Sequence, residues 1–435
     1  MPFSTGSNER KDVLVVESVS AREILDSRGR PTVRATCVLS GGARATADAP
    51  SGASTGAAEA WELRDGDPKR YAGRGCRRAA GHVSGEINDR VQRQEWTQES
   101  LDQALIALDG TANKSRLGAN ALLATSLSFA RAVAVRKGIP LYQHFATMLG
   151  GETPRTLPRL TVNLFSGGKH AGAQVAIQDV LLVPVHATTT DESLSMIADV
   201  YQAAARLIED KYGMRLLRAD EGGLAPPCPS AEAMLEDAVD AIKAAGLKPG
   251  HDMALAVDVA SSHFYKDQRY ELDGDRLDSL SMIGRLSSWV ERFPIVSIED
   301  GLAEEDWLGW PGLNALLSGR ALILGDDFLC TNAERIRRAI QKDCANALLL
   351  KVNQVGTLSE AAEACRLARA AGWNVTVSAR SGETEDTWLA DLAVGWRGDQ
   401  IKIGSITQSE RLAKYNRLLE IESTEGWRTV KWPDR

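Results

Sequence analysis

The chain has few of the residues that mark disulfide-bonded, zinc-binding or membrane proteins. Its 435 residues include six cysteines, which are scattered without CxxC spacing or a neighbouring histidine cluster. This distribution predicts neither a disulfide framework nor a zinc site, and it is typical of a protein in the reducing cytoplasm. No stretch reaches the ~18 uninterrupted apolar residues of a membrane span. The nearest candidate, Leu117 to Val135, is interrupted by polar residues and predicts a buried helix.

An excess of positive charge is also absent. The net charge is −7, the isoelectric point is about 5.6, and the Lys and Arg residues form no segregated stripe. Nucleic acid and anionic membranes are therefore not expected as partners. The first 12 residues lack the apolar core of a signal peptide. We predict that residues 1–12 are a disordered leader on a cytoplasmic protein.

The length and the pattern of apolar residues predict two domains of the α/β class, since one ordinary domain needs only ~100 to 200 residues. Strands are predicted at Val13 to Ser18 and Thr32 to Leu39, and helices near Ala79 to Val91 and Ala119 to Lys137. These elements predict an α+β domain over residues 13–150. A stretch rich in Gly, Pro and Thr around residues 150–158 marks the boundary, and residues 151–435 form the second domain.

The second domain repeats one pattern, in which a short apolar run ends in a polar residue and a helical stretch follows. From Glu299 to Lys402 the spacing is roughly 22 to 29 residues, about one βα unit. A parallel barrel produces such a series and collects functional groups at the carboxyl ends of its strands. The residues that end or follow these runs are Asp258, Glu299, Asp326, Lys351, Arg380 and Lys402.

Three of these strand ends are carboxylates. Asp258, Glu299 and Asp326 offer hard oxygen ligands without any cysteine or histidine among them, which predicts a Mg²⁺ site. Asp300 and Asp327 adjoin two of them, so the choice of ligand within each pair stays open. The alternative, surface ion pairing, is weakened because each carboxylate follows a run that is predicted to be interior.

Lys351 ends the apolar run LLLK and is a candidate base that removes a proton next to a carboxylate. Burial and nearby cations are expected to lower its pKa toward that of a useful base. The alternative is a lysine paired with one of the acids. Both can hold, because a catalytic lysine also needs charge balance.

Several distinctive motifs follow one another along the chain. They are AREILDSRGRPTV (21–33), PSGASTG (50–56), ELRDGD (62–67), GGKHAG (167–172), DEGGLAP (220–226), SIEDGLAEEDW (297–307), LLLKVNQVGTLSE (348–360), RSGETEDT (380–387) and QIKIG (400–404). With these motifs the chain resembles the enolase family from about Val13 to Ile421. PSGASTG separates enolases proper from the sugar-acid dehydratases and racemases of the wider superfamily.

The resemblance implies an enolase-type (β/α)8 barrel with an N-terminal α+β capping domain. It also implies a hydro-lyase that acts on a small anionic, phosphoglycerate-like substrate with two Mg²⁺ ions, the second arriving with substrate, in a homodimer or larger homo-oligomer. The implied roles are Lys351 as base, Glu221 as acid, Asp258, Glu299 and Asp326 as ligands of the first Mg²⁺, Ser54 as ligand of the second, Lys402 at the substrate carboxylate, Arg380 and Ser381 at the phosphate, and His170 on a loop that closes over the site.

Two positions depart from the family pattern. Ala379 stands where enolases have a His before the phosphate-binding Arg and Ser, and Asp179 stands where they have a Glu near the leaving hydroxyl. Three hypotheses follow: a glycolytic enolase, a catalytically impaired paralogue retained as a scaffold, or a working dehydratase whose substrate differs at phosphorus.

We favour the third hypothesis, because the base, acid and metal residues are all present. The pattern resembles carboxyphosphonoenolpyruvate synthase of phosphonate antibiotic pathways, whose substrate is similar to 2-phosphoglycerate with a carboxylate added on phosphorus. Lys169 is a candidate to meet that extra charge. The alternative for Lys169 is an exposed loop lysine without a role.

Overall fold

The computed structural model describes residues 14–53, 55–213 and 217–432. The predicted leader at 1–12 and the predicted ligand Ser54 lie outside these residues. The strands are β1 (Leu14–Leu25), β2 (Pro31–Leu39), β3 (Arg44–Asp48), β4 (Glu95–Trp96), β5 (Thr156–Leu157), β6 (Arg159–Ser166), β7 (Asp179–Val183), β8 (Ala254–Asp258), β9 (Tyr265–Lys266), β10 (Arg269–Leu272), β11 (Asp275–Leu277), β12 (Ile295–Glu299), β13 (Leu322–Gly325), β14 (Ala347–Leu350), β15 (Asn374–Ser378), β16 (Gln400–Gly404) and β17 (Arg428–Thr429).

The helices alternate with the barrel strands in the second half of the chain. They are α1 (Arg77–His82), α2 (Asn88–Val91), α3 (Gln98–Asp109), α4 (Ala119–Lys137), α5 (Leu141–Thr147), α6 (Thr190–Tyr212), α7 (Ala231–Ala244), α8 (Ser279–Arg292), α9 (Trp310–Leu317), α10 (Ala333–Gln341), α11 (Leu358–Ala370), α12 (Trp388–Gly395) and α13 (Ser409–Glu425).

The N-terminal domain, called the cap below, is an antiparallel sheet in the order β3-β2-β1-β4 with helices on it. Helix α4 packs on β2 and β3 and is buried along most of its length. Its Ala, Ser and Thr side chains are small, so the helix can lie against neighbours on several sides. The prediction of a buried helix here is confirmed. Among the described residues no helix combines the length and apolar character that crossing a membrane requires.

The C-terminal domain is a closed eight-stranded barrel in the order β12-β13-β14-β15-β16-β6-β7-β8. Each apolar run singled out in the sequence forms one of its strands, which confirms the predicted fold class. One strand differs from the expected parallel arrangement: β7 is antiparallel to both β6 and β8. The reason is that the segment between β6 and β7 holds only a short turn, Gly168–His170, in place of a crossover helix.

The reversed direction of β7 places its first residue at the same end of the barrel as the last residues of the other strands. Asp179 begins β7 and lies beside Asp258, which ends β8, and beside Ser166, which ends β6. Asp179, the first residue of its strand, thereby lies at the barrel mouth among the last residues of the other strands.

The cap covers this mouth through backbone contacts. Ser51 and Gly382 exchange two backbone hydrogen bonds of 2.8 and 2.9 Å, and the Ser27 N–H donates to the Glu383 carbonyl at 2.7 Å. At Gly56 a Cβ atom would lie 2.4 Å from Cys330 Sγ, so only glycine fits where this loop meets the barrel. The described residues of this stretch, 50–53 and 55–56, therefore lie against the carboxyl ends of the barrel strands. The domain division at residue 150 stays a prediction.

Candidate active site

A small cavity at the barrel mouth gathers most of the residues that the sequence singled out. It is lined by Ala53, His170, Gln178, Glu221, Asp258, Lys351, Ser378, Ala379, Arg380, Ser381 and Lys402. These residues come from six barrel strands or the loops that follow them, and from the cap. Glu299, Asp326 and Asp179 adjoin the cavity through contacts with its lining, whereas Lys169 is exposed on the loop after β6.

Lys402 bridges two of the three predicted metal ligands. Its Nζ donates to Asp258 Oδ2 at 2.8 Å and to Glu299 Oε2 at 2.7 Å, and all three side chains are buried. Burial raises the pKa of Asp258, but Lys402 lowers it by more, to about 2. The pKa of Glu299 is raised well above its ordinary value by burial and by the neighbouring Asp258. Asp258 and Glu299 are thus two carboxyl groups that share a single lysine, and one lysine neutralises only one of them.

Lys351 forms an ion pair with Asp326. Burial lowers the pKa of Lys351, but the carboxylates around it, Asp326 first and then Glu299, together raise it by more, so the pKa lies above its ordinary value. The expectation of a lowered pKa is wrong, because the nearby carboxylates outweigh desolvation. The alternative weighed from the sequence, a lysine paired with an acid, is what the geometry shows.

The carboxylates fit a divalent cation. Glu299 Oε1 is buried without a hydrogen-bond partner among the described residues, and a buried carboxylate oxygen without a partner is costly. Asp258, Glu299 and Asp326 present only oxygen atoms, the ligands that Mg²⁺ prefers.

Asp300, the neighbour of Glu299, holds the backbone of the loop that carries Asp326 and Asp327. Its carboxylate accepts the backbone N–H groups of Asp326 and Asp327, both at 2.8 Å. Carboxylate oxygens of Asp300, Asp326 and Asp327 also lie within 4.8 Å of one another. Burial and the charge of Asp326 raise the pKa of Asp327 to about 7. Both carboxylate oxygens of Asp300 are thus used to hold the backbone, so Glu299 is favoured over Asp300 as the metal ligand of that pair.

His170, Asp179 and Glu221 form a second cluster of ionisable groups at the cavity. His170 Nδ1 lies 3.0 Å from Asp179 Oδ2, and His170 Nε2 lies 3.9 Å from Glu221 Oε1. Burial lowers the pKa of His170, but Asp179 and Glu221 raise it by more, to about 9. Burial raises the pKa of Glu221, but the positive charges of His170 and Arg411 lower it by more. A proton therefore resides on the imidazole beside an ionised Glu221.

Arg380 and Ser381 occupy the side of the cavity where the phosphate group is expected. The Arg380 guanidinium forms two 3.1 Å hydrogen bonds with the Glu59 carboxylate of the cap. Ser381 Oγ accepts from Arg28 Nη1 at 3.1 Å. Ala379 lines the cavity with only its methyl group, and its N–H donates to the Lys402 carbonyl at 2.8 Å. On this side of the cavity Arg380 is already paired with Glu59, and Ala379 beside it contributes no polar side-chain atom.

Four polar residues near the site were missed in the sequence. Gln178 Nε2 donates to Asp258 Oδ2 and Asn163 Nδ2 donates to Glu221 Oε2, both at 3.0 Å. Asn163 interrupts the apolar strand β6, and this signal could have revealed it. Glu59 and His263 lie in loops, where no periodicity distinguishes them. Burial and the charge of nearby Lys169 lower the pKa of His263 to about 4.

The fold and the site define a capped barrel whose mouth gathers an acidic cluster with oxygen atoms that suit a metal ion, a buried lysine and a buried histidine. Two family models match the chain: "Enolase, N-terminal domain" over residues 16–145 and "Enolase, C-terminal TIM barrel domain" over residues 154–431. Together they span most of the sequence, and the chain belongs to the enolase family. At the level of the family this makes it an enolase-like lyase.

Proposed function

We propose that this protein is a Mg²⁺-dependent hydro-lyase that dehydrates a 2-phosphoglycerate analogue carrying an additional carboxylate on phosphorus. It would abstract the proton next to the substrate carboxylate and eliminate water to form a phospho-enol. The observation that carries the proposal is the contrast within one cavity between a complete acid, base and cation set and the bare methyl group of Ala379 beside Arg380 and Ser381.

The proton-abstraction step follows from the position of Lys351. In its neutral form, the Nζ atom takes the proton from the carbon next to the carboxylate, and the C–H electron pair becomes the new enolate. Bound Mg²⁺, held by Asp258, Glu299 and Asp326, would stabilise the second negative charge on the carboxylate and compete with Lys351 for Asp326. Lys402 supplies a further fixed positive charge at the same end of the cavity.

The elimination step uses the cluster of His170, Asp179 and Glu221. When the carbon–oxygen bond of the hydroxyl breaks, the enolate electrons form the carbon–carbon double bond, and the leaving oxygen takes up a proton. In this proposal the proton comes from the His170 imidazolium, and the contact of His170 with Asp179 and its position beside Glu221 support that role. Glu221 passes it to the hydroxyl, and water leaves.

The substrate proposal follows from the space and charge at the phosphorus end. Ala379 leaves room that a longer side chain would fill. Lys169 and His263 lie near each other, and His263 also lies near Asp258 and His170 of the cavity. His263 Nδ1 is buried without a hydrogen-bond partner among the described residues. A carboxylate on phosphorus supplies an acceptor for that ring nitrogen and a counter-charge for Lys169.

The deciding experiment compares two substrates with purified protein and Mg²⁺. Enol formation from 2-phosphoglycerate is followed by ultraviolet absorbance, and dehydration of the carboxyphosphono analogue by phosphorus NMR. We expect turnover of the analogue and little or none of 2-phosphoglycerate. Robust turnover of 2-phosphoglycerate would instead identify a glycolytic enolase. Failure with both, without Mg²⁺-dependent binding of either, would identify a scaffold paralogue.

We also propose that the protein acts in the cytoplasm as a homodimer or larger homo-oligomer. The six described cysteines are all buried and free, which accords with a reducing compartment. The family resemblance supports self-assembly. Light scattering after size-exclusion chromatography tests the assembly, and a monomeric mass at micromolar concentration would contradict it.

A further inference from the structure

Glu59 is a cap residue whose side chain lies inside the barrel site. It follows residues 55–58, called the cap loop below, and its two carboxylate oxygens each accept a 3.1 Å hydrogen bond from Arg380, one from Nη1 and one from Nη2. The side chains are 6% and 3% exposed respectively. A two-pronged, buried contact of this kind fixes the plane of the guanidinium as well as its charge.

The same carboxylate has two further partners. Glu59 Oε1 accepts from the Gly56 N–H and from Gln354 Nε2, both at 3.3 Å. Gln354 Nε2 also donates to Asp326 Oδ1 at 2.9 Å. One side chain thus joins the cap loop, the phosphorus end and, through Gln354, a predicted metal ligand.

The two loop residues before Ala58, Gly56 and Ala57, are held in place by contacts with the barrel. Gly56 has no room for a Cβ atom, which would lie 3.1 Å from Asp327 Cα. The Ala57 N–H donates to Glu304 Oε2 at 2.9 Å on the other side. Gly56 and Ala57 are thus both anchored to the barrel. A shift of this part of the loop moves the Gly56 N–H group, and with it the Glu59 carboxylate and the Arg380 guanidinium that are bonded in series to it.

We propose that Glu59 is a positioning residue, which orients Arg380 for the phosphorus-end anion of the substrate and couples that orientation to the cap loop. The inference rests on the role of Arg380 in the proposed function and adds the residue that sets its geometry. A buried guanidinium that loses its fixed acceptor turns toward other acceptors, such as Asn353 Oδ1, which already lies 2.9 Å from Nη1.

The test uses Glu59→Gln and Glu59→Asp in the full-length protein. Gln removes the charge and one acceptor, whereas Asp keeps the charge at a shorter reach. For whichever substrate the wild type dehydrates, we expect Glu59→Gln to raise KM by ~10- to 100-fold with a smaller fall in kcat, since misplacing a binding group by about 1 Å has effects of this size. Glu59→Asp should recover part of the loss. Glu86→Gln, which alters an exposed Glu–Arg pair of the cap, should leave KM unchanged.

A double-mutant cycle with Arg380→Lys separates positioning from a purely structural role. If Glu59 acts through Arg380, Glu59→Gln should add little to the KM of the Arg380→Lys variant. Fully additive effects, or a lowered melting temperature with unchanged KM, would overturn the inference. A wild type that neither turns over nor binds either substrate overturns the proposed function and this inference together, whereas an unchanged KM in Glu59→Gln overturns this inference alone.

Discussion

The two halves of the cavity are built in different ways. The proton-abstraction half uses side chains at the ends of neighbouring barrel strands, where Lys402 spans Asp258 and Glu299 and Lys351 pairs with Asp326. The phosphorus half joins the barrel to the cap. Arg380 is held by Glu59, and Ser381 is held by Arg28, more than 300 residues away in sequence.

This difference bears on how substrate preference can change. In the first half Lys402 and Lys351 are each paired with buried carboxylates, so replacing one residue leaves a buried charge without its partner. In the second half Ala379 forms hydrogen bonds only through its backbone N–H and carbonyl groups, and its methyl group forms none. Substitutions there alter the shape of the cavity at small cost to the rest. The phosphorus half is therefore where a family member can acquire a new substrate while keeping its reaction.

The largest effect is expected from Lys351→Ala. The variant lacks the proposed base, and turnover should fall by at least ~10³-fold, within the range that general base catalysis contributes. Circular dichroism should show an intact fold. Lys342→Ala, on the exposed end of α10, serves as the control and should be fully active. Near-normal turnover by Lys351→Ala would refute the role of this lysine.

The next effect concerns the cation site. Glu299→Gln removes a carboxylate whose Oε1 atom has no other partner among the described residues, so the half-saturating Mg²⁺ concentration should rise by ~100-fold or more. Calorimetric titration with Mg²⁺ measures this without any substrate. Glu305→Gln changes an exposed acid that pairs with Arg335, and it should bind Mg²⁺ normally. Unchanged affinity in Glu299→Gln would exclude Glu299 as a ligand.

The phosphorus half is tested by Ala379→His. The imidazole would fill the gap beside Arg380 and shift the ratio of kcat/KM values toward 2-phosphoglycerate by ~10-fold or more, as pocket-filling changes do. The two substrates are compared in the same assay, so a general loss of activity cancels. Ala371→His, on an exposed turn after α11, controls for the added histidine. A ratio that does not move would show that Ala379 does not set substrate preference.

A smaller effect is expected at the edge of the cavity. Lys169→Ala should raise KM for the carboxyphosphono analogue by only ~3-fold, because an exposed charge is screened by water. KM for 2-phosphoglycerate should stay the same, and Lys243→Ala at another exposed position should change neither. An equal rise for both substrates would assign Lys169 to general anion attraction.

The sequence predicted the first half of the site better than the second, for physical reasons. Strand ends of one barrel follow a repeat that can be read along the chain, and all six barrel strands singled out in this way are present in the structure. The reversed strand β7 was missed, because its residues are apolar whichever way the strand runs. Glu59 and Arg28 were missed because their partners lie in another domain, and no spacing rule connects the two.

The pKa of Lys351 shows a further limit of sequence reasoning. Burial of the lysine was predictable from the run LLLK, but the sign of the shift depends on whether a carboxylate lies within ion-pair distance. That distance is set by the register of β13 and β14, which the sequence does not reveal. The sequence therefore predicts which residues make up the site better than it predicts their protonation states.

The smallest effect on turnover is expected at a second junction between cap and barrel, formed by Asp102 of α3. Its carboxylate is fully buried and accepts from the N–H and Oγ of Ser359 on α11, at 2.9 and 2.7 Å. Burial raises the pKa of Asp102 to about 6, and these hydrogen bonds only partly offset that rise. Glu59 accepts hydrogen bonds from the cation Arg380, whereas the hydrogen bonds that Asp102 accepts come from neutral groups.

A raised folded-state pKa stabilises the protein only while the group is protonated. The contribution of Asp102 is therefore fully present below about pH 4 and is lost as pH rises through about 6. Relative to wild type, Asp102→Asn should gain up to about 3 kcal/mol in unfolding free energy between pH 4 and 7. Urea unfolding at several pH values measures this, and turnover should not change. A constant difference across this range would show that Asp102 stays ionised. The hydrogen bonds from Ser359 and from Gln98 Nε2, which donates to Asp102 Oδ1 at 3.1 Å, would then suffice without a cation.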